Sequence, residues 1–127
     1  MKKRMTFAAV TVMGLLAATG ATGASEKLML RVTPNVSSAP STVIVKATVT
    51  RNAENRWLHI EADSGAFFRS SDIELDGDKA PLITEIRLNN LPGGEYTVAA
   101  VLRNNLGEET VVRRTALVLS RLGEPEP

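Results

Sequence analysis

The stretch NNLPGGEYTV, residues 89–98, places the single tyrosine of the chain directly after a turn signal. Pro92 presets the φ angle that a tight turn requires, and Gly93 tolerates a positive φ. From Tyr96 onward apolar residues alternate, so Tyr96, Val98 and every second residue after them share one face of an extended segment. The stretch therefore predicts a tight corner followed by a strand whose inward face begins at Tyr96.

Alternating apolar residues separated by turn residues recur through most of the chain. Strands are expected at 27–34, 42–50, 56–63 and 82–91, and in a hairpin over 95–119 with its turn at Asn104–Gly107. Residues 35–41 are expected to form a loop, 64–71 a bend or short strand, and 72–81 a short strand with an Asp-Gly turn. No segment beyond the N-terminal 24 residues shows a helical period, so the pattern predicts an all-β domain. A small barrel is the alternative to two packed sheets.

The corner is similar to that of bacterial secreted immunoglobulin-like or fibronectin type III-like domains. The residues that carry this resemblance are Leu88, Leu91, Pro92, Gly93, Gly94 and Tyr96. It covers roughly residues 27–119 and implies a seven- to eight-stranded immunoglobulin-like sandwich with a tyrosine corner, in which the ring packs inside and the hydroxyl bonds to the loop backbone. An antibody-type domain would carry a cysteine at the position of Val98, so the resemblance also implies aliphatic packing in place of a disulfide.

The N-terminal segment has the organisation of a secretory signal peptide. Three basic residues at positions 2–4 precede an apolar run over Met5–Ala18, which is followed by small residues. This run is shorter than the about 20 apolar residues that a membrane span needs. We expect a signal peptide at 1–24, a folded domain at 25–120 and a disordered polar tail at 121–127, with an uncleaved anchor as the alternative. The expected location is periplasmic or secreted, with no membrane span after cleavage.

Charge and cysteine content exclude several classes of function. The chain has 15 basic and 14 acidic residues; removing the three basic residues of the signal leaves 12 − 14 = −2. A chain with this charge does not present the basic surface that binds nucleic acid. The absence of cysteine removes disulfides, thiol catalysis and cysteine-type zinc sites.

The segment RWLHIEAD, residues 56–63, predicts a strand with two distinct faces. The alternation favours Leu58 and Ile60 inward, with Trp57 and His59 on the opposite face. A bulge near Arg56 would reverse this assignment.

Three aromatic residues and two arginines form the candidate binding surface. The expected binding residues are Trp57, Phe67, Phe68, Arg56 and Arg69. Aromatic side chains beside arginine are enriched in binding sites, and aromatic platforms hold sugars. The alternative is a purely structural role, in which one aromatic side chain packs in the core and another covers a sheet edge.

Metal binding and catalysis have weaker signals. The acidic series from Asp72 to Asp78 begins like a calcium loop, but Ile83 stands where a bidentate glutamate is needed. The expectation is therefore a strand and a turn, with weak calcium binding left open.

His59 is the only histidine, and a triad with Asp63 and Ser64 fails because neighbouring strand residues face opposite ways. We expect no catalytic residue, no metal and no cofactor.

These observations predict a non-catalytic immunoglobulin-like binding or interaction module rather than an enzyme. Its expected partner is a protein in the bacterial envelope or an extracellular polymer. The alternative is a small carbohydrate-binding domain that uses exposed aromatic residues.

Overall fold

A computed structural model describes residues 27–120 of the chain. The expected signal peptide (1–24) and polar tail (121–127) therefore lie outside the described residues. The first two residues of the expected domain, 25 and 26, lie outside them as well. The described strands are β1 (Leu28–Thr33), β2 (Val36–Ser38), β3 (Ser41–Val49), β4 (Asn55–Asp63), β5 (Phe68–Glu74), β6 (Ile83–Leu91), β7 (Gly94–Asn104) and β8 (Glu109–Leu119). One 3-10 turn, Gly77–Lys79, lies between β5 and β6. Within residues 27–120, no helix has the length and apolarity to cross a membrane.

The strands form two sheets, which confirms the all-β prediction. The first sheet has the order β1-β3-β6 and the second has the order β2-β8-β7-β4-β5. All pairs are antiparallel except β2 with β8, which is parallel. Apolar side chains from both sheets form one buried core. Strand β7 lies at the centre of the second sheet, and it pairs with β4 on one side and β8 on the other over most of its length.

The corner before β7 contains a hydrogen bond from its tyrosine to the loop backbone. The Tyr96 side chain is fully buried, and its hydroxyl donates to the Pro92 carbonyl oxygen at 2.7 Å. The positive φ of the corner lies at Asn90, with φ 58°, rather than at Gly93. Gly93 instead allows a close approach, since a Cβ there would meet the Ser120 hydroxyl and lie 3.1 Å from the Ser120 backbone nitrogen. Leu91 is buried beneath the corner as expected.

The register of β4 also follows the prediction. Leu58 and Ile60 are buried, whereas Trp57 and His59 lie half-buried on the outer face of the five-stranded sheet. An irregularity does occur in the pairing with β7, but it falls before Trp57. It therefore leaves the faces of the rest of β4 unchanged.

Two segments differ from the sequence expectation. The expected loop at 35–41 contains β2, three residues long, which pairs with the end of β8. The expected break between 64–71 and 72–81 is absent, because β5 runs unbroken across it beside β4. The turn lies earlier, where the Ser64 amide donates to the Phe67 carbonyl at 3.0 Å.

Candidate outer-sheet proton site

His59 lies on the outer face of the five-stranded sheet, near the middle of β4. Its neighbours across the strands are Asp72 on β5 and Val101 on β7. Glu61, two residues further along β4, shares the same face. Strand pairing thus places one imidazole between two carboxylates, and we call these three side chains, His59, Asp72 and Glu61, the histidine cluster.

Both ring nitrogens of His59 have a carboxylate partner. Nδ1 lies 2.6 Å from Asp72 Oδ1 and Nε2 lies 3.0 Å from Glu61 Oε1. The hydrogen bond to Asp72, followed by the one to Glu61, raises the pKa of His59 above its ordinary 6.5, while partial burial opposes the rise. Because a carboxylate can only accept, the protonated ring satisfies both bonds at once. The two carboxylates therefore favour the protonated form of the His59 ring.

A cavity of about 270 Å³ adjoins the histidine cluster. Its lining consists of Trp57, His59, Asp72, Val101, Arg103 and Glu109. Arg103 donates from Nε and Nη2 to Glu109 Oε2 at 3.1 and 2.8 Å, so these two opposite charges neutralise each other. Trp57 stands beside Arg103 in the register and forms an apolar wall. The cavity thus combines a proton-carrying ring with apolar and ion-paired walls.

The structure does not gather the three expected aromatic residues. Trp57 and Phe68 share the outer face, but they lie far apart along it. Phe68 pairs with Asp63, which is six residues from Trp57 along β4, and at the rise per residue of a strand this is about 20 Å. Phe68 is 55% exposed at the sheet edge. Phe67 instead packs inward, edge-on against Tyr96 with ring centroids 6.3 Å apart.

The two expected arginines are also separated and serve local contacts. Arg56 donates to the Ala53 carbonyl at 2.6 Å in the turn before β4. Arg69 stacks its guanidinium over the Phe67 ring at 5.2 Å and donates to the Asn89 carbonyl at 3.3 Å. Of the five expected binding residues, only Trp57 lines the cavity.

Sequence reasoning missed the carboxylates that complete the site. Glu61 carried a visible signal, because it follows His59 at strand spacing. Asp72 carried none on its own, since its place beside His59 depends on the unbroken course of β5. Within residues 27–120, no group of three or more histidine, cysteine, aspartate or glutamate side chains has an arrangement that could hold a metal ion.

Comparison with known proteins gives a likeness of structure alone. No family model matches the chain, and no curated protein matches it. The chain is similar to superoxide reductase (neelaredoxin) from Ignicoccus hospitalis, with a TM-score of 0.59 and 15% identity over 73% of this chain and 80% of that chain. Two structures of substituted forms of that enzyme both give a TM-score of 0.58, at 16% and 17% identity. These cover 72% and 77% of this chain and 79% and 82% of theirs.

This likeness overturns the family and function expected from the sequence. Solved structures that resemble the chain include this superoxide reductase and two of its substituted forms, so the assignment to immunoglobulin-like or fibronectin type III-like domains is wrong. The expectation of a non-catalytic module conflicts with the same finding, because those neighbours are enzymes. The carbohydrate-binding alternative has no support either. The error arose because the Leu-Pro-Gly-Gly-x-Tyr corner describes a local turn and does not identify a family.

Proposed function

We propose that the protein is an acid–base catalyst built on a neelaredoxin-like β fold. His59 is the proton-transferring group, and the substrate is a small molecule in the cavity beside Trp57. The observation that carries this proposal is the histidine cluster itself, with two carboxylates at 2.6 and 3.0 Å from the ring nitrogens at the edge of that cavity.

The similarity to superoxide reductases suggests only part of their chemistry for this chain. Reduction of superoxide to hydrogen peroxide consumes one electron and two protons, so it needs a redox-active group as well as a proton source. Histidine and cysteine are the usual ligands of redox transition metals. The chain has one histidine and no cysteine, and both nitrogens of that histidine face carboxylates. These residues do not fit a redox metal centre, whereas they do fit proton transfer.

The two carboxylates have different roles in the proposed mechanism. Asp72, at the shorter distance, holds the Nδ1–H and fixes the orientation of the ring. The Nε2 proton, shared with Glu61, is the one that His59 exchanges with a substrate. The raised pKa of His59 favours the protonated ring, and the Asp72 carboxylate stabilises the imidazolium when the proton returns.

The cavity walls restrict the substrate. Trp57 and Val101 supply an apolar surface, and the Arg103–Glu109 pair supplies no net charge. The substrate class that fits is a small molecule of low net charge with a planar part that lies against Trp57. The signal-like N-terminal sequence supports a periplasmic or secreted location for this activity, and a protein or polymer partner stays a prediction.

Ring opening of 5-nitrobenzisoxazole, a planar neutral molecule from which a base removes one proton while the N–O bond breaks, tests the site. We expect a rate per histidine above that of N-acetylhistidine amide at equal concentration, rising with pH as His59 loses its proton. His59→Gln should abolish the excess rate. Glu74→Gln, which removes a carboxylate from the same face of β5 without changing the histidine cluster, should leave it unchanged.

The opposite result has an equally clear meaning. If the wild type is no faster than N-acetylhistidine amide, His59 has no catalytic advantage and the proposal fails. Circular dichroism of both variants shows whether a lost rate reflects a lost fold.

A further inference from the structure

A second cavity lies where β1, the edge strand of the first sheet, runs beside β8 of the second sheet. On this side β8 pairs with β2 only over Leu117–Leu119, and the part of β8 before Leu117 lies next to β1 instead. The cavity has a volume of about 390 Å³. It shares no lining residue with the cavity beside Trp57. We call it the seam pocket and define it by Met29, Arg31, Val32, Asn35, Arg114 and Thr115.

Arg114 occupies a position on β8 that the strand otherwise gives to core residues. Val112 and Ala116, two residues to either side, are buried, and side chains at this spacing share one face of a strand. Arg114 is exposed instead, and its Nε donates to the Leu30 carbonyl oxygen of β1 at 2.9 Å. The bond uses one of the five N–H donors of the guanidinium and holds the group at the wall of the pocket.

The lining of the seam pocket is positively charged. Arg31 on β1 supplies a second guanidinium, and none of the described residues that line the pocket is acidic. The cross-strand neighbour of Arg31 is Lys46, whose ammonium lies 4.0 Å from Glu85 Oε2. The ion pairs formed within residues 27–120 involve neither Arg31 nor Arg114. The electrostatic potential of the pocket therefore favours an anion.

The hydrogen-bond donors of the pocket narrow that anion to a phosphate group. They come from β1, from the connection between β1 and β2, and from β8, and they are Arg31, Asn35, Arg114 and Thr115. A carboxylate needs only one arginine fork, whereas a phosphate has three acceptor oxygens and a charge that two guanidiniums balance. Met29 and Val32 add an apolar wall that suits a small organic group beside the phosphate. We propose that the seam pocket binds a phosphate group through Arg31 and Arg114.

Two probes test this proposal and separate the sources of such a group. Inorganic phosphate represents the free anion, and phenyl phosphate represents a phosphomonoester with an apolar part. Each is titrated at constant ionic strength into the ¹⁵N-labelled protein, and the shifts are followed by NMR. We expect saturable shifts in the Nε–H signal of Arg114 and in the backbone amides of Arg31 and Asn35. Tighter binding of phenyl phosphate identifies a phosphomonoester as the ligand, and equal or weaker binding identifies the free anion.

Matched variants decide whether the pocket is responsible. Arg31→Met removes one guanidinium at an exposed position and should weaken phosphate binding about tenfold, the usual effect of losing a hydrogen bond to a charged group. Arg114→Lys keeps the charge but loses the planar fork, so it should weaken binding by a similar factor. Arg87→Met removes a cation from the outer face of the first sheet outside the pocket lining, and it should have no effect.

Three results would overturn the proposal. The first is the absence of shifts at the pocket with either phosphate at millimolar concentration. The second is an equal response to benzoate, because it would mean that the pocket does not distinguish a phosphate from a carboxylate. The third is unchanged binding in Arg31→Met or in Arg114→Lys, because the proposed site requires both guanidiniums. None of these results depends on His59, so the proposed acid–base function stands or fails separately.

Discussion

At the scale of single residues, Tyr96 shows how one polar atom is accommodated in an apolar core. Its ring contributes buried area, and its hydroxyl reaches the Pro92 carbonyl at 2.7 Å. Burial raises the pKa of the Tyr96 hydroxyl, so the group remains a donor through the neutral pH range. The corner is thereby tied to β7 by a bond that a phenylalanine could not make.

Tyr96→Phe should lower the free energy of unfolding by about 0.5–1.5 kcal/mol, the usual net contribution of one hydrogen bond. The packing of the ring is retained, so the fold should persist. Urea denaturation of the two proteins measures the difference. An unchanged midpoint would mean that the hydroxyl contributes nothing to the stability of the corner.

The histidine cluster links stability to pH. Because the pKa of His59 is raised in the folded protein, the protonated ring stabilises the native state. This contribution is fully present below about pH 6.5, the ordinary pKa of histidine, and is lost as pH rises through the folded pKa. The difference in melting temperature between wild type and His59→Gln should therefore be largest below about pH 6.5 and should shrink as the pH rises through the folded pKa.

Thermal unfolding of both proteins from pH 5.5 to 8.5 measures this difference. A difference that grows with pH would have the wrong sign for a raised pKa. It would show that the carboxylates do not hold the proton on His59.

At the scale of elements, the 3-10 turn between β5 and β6 depends on Gly77. Its φ is 54°, and an added Cβ would lie 2.7 Å from the Ala53 carbonyl oxygen. Gly107, in the β7–β8 turn, has φ 83° but open space around it. A substitution at Gly107 would therefore introduce backbone strain alone, whereas one at Gly77 would add a steric clash to that strain.

Gly77→Ala should destabilise the protein by more than Gly107→Ala. A left-handed conformation costs a non-glycine residue of order 1–3 kcal/mol, which both variants share. Only the first adds a clash with backbone that cannot rotate away. Chemical denaturation of the two variants in parallel gives the comparison, and equal losses would mean that the Ala53 loop yields at little cost.

The success of sequence reasoning differed between strands for a physical reason. Strand β4 has a neighbour on each side and one buried face, so Leu58 and Ile60 show clean alternation. Strand β5 is an edge strand with few buried side chains, and Ser70-Ser71 interrupts its apolar pattern. Its register depends on pairing with β4, which no local pattern contains. Asp72 was therefore not linked to His59, and the candidate site stayed incomplete.

At the scale of the whole molecule, the family could not be derived from the corner. Local turns, alternation and core size constrain a two-sheet domain, but many families meet the same constraints. The likeness to superoxide reductases appears at 15–17% identity, where little of the sequence signal remains. Function must then be argued from the side chains that this chain actually carries.

Because the chain has one histidine and no cysteine, we predict that the protein does not bind a redox-active iron and does not reduce superoxide. After incubation with Fe²⁺ and removal of free metal, the protein should retain far less than one iron per chain. Its addition should leave the decay of a superoxide pulse at the spontaneous rate, because one histidine, already held by two carboxylates, offers too few ligands for a redox metal. His59→Gln should behave identically in both assays. Stoichiometric iron, or superoxide decay that slows on removing His59, would instead make His59 part of a redox centre and overturn the metal-free proton site.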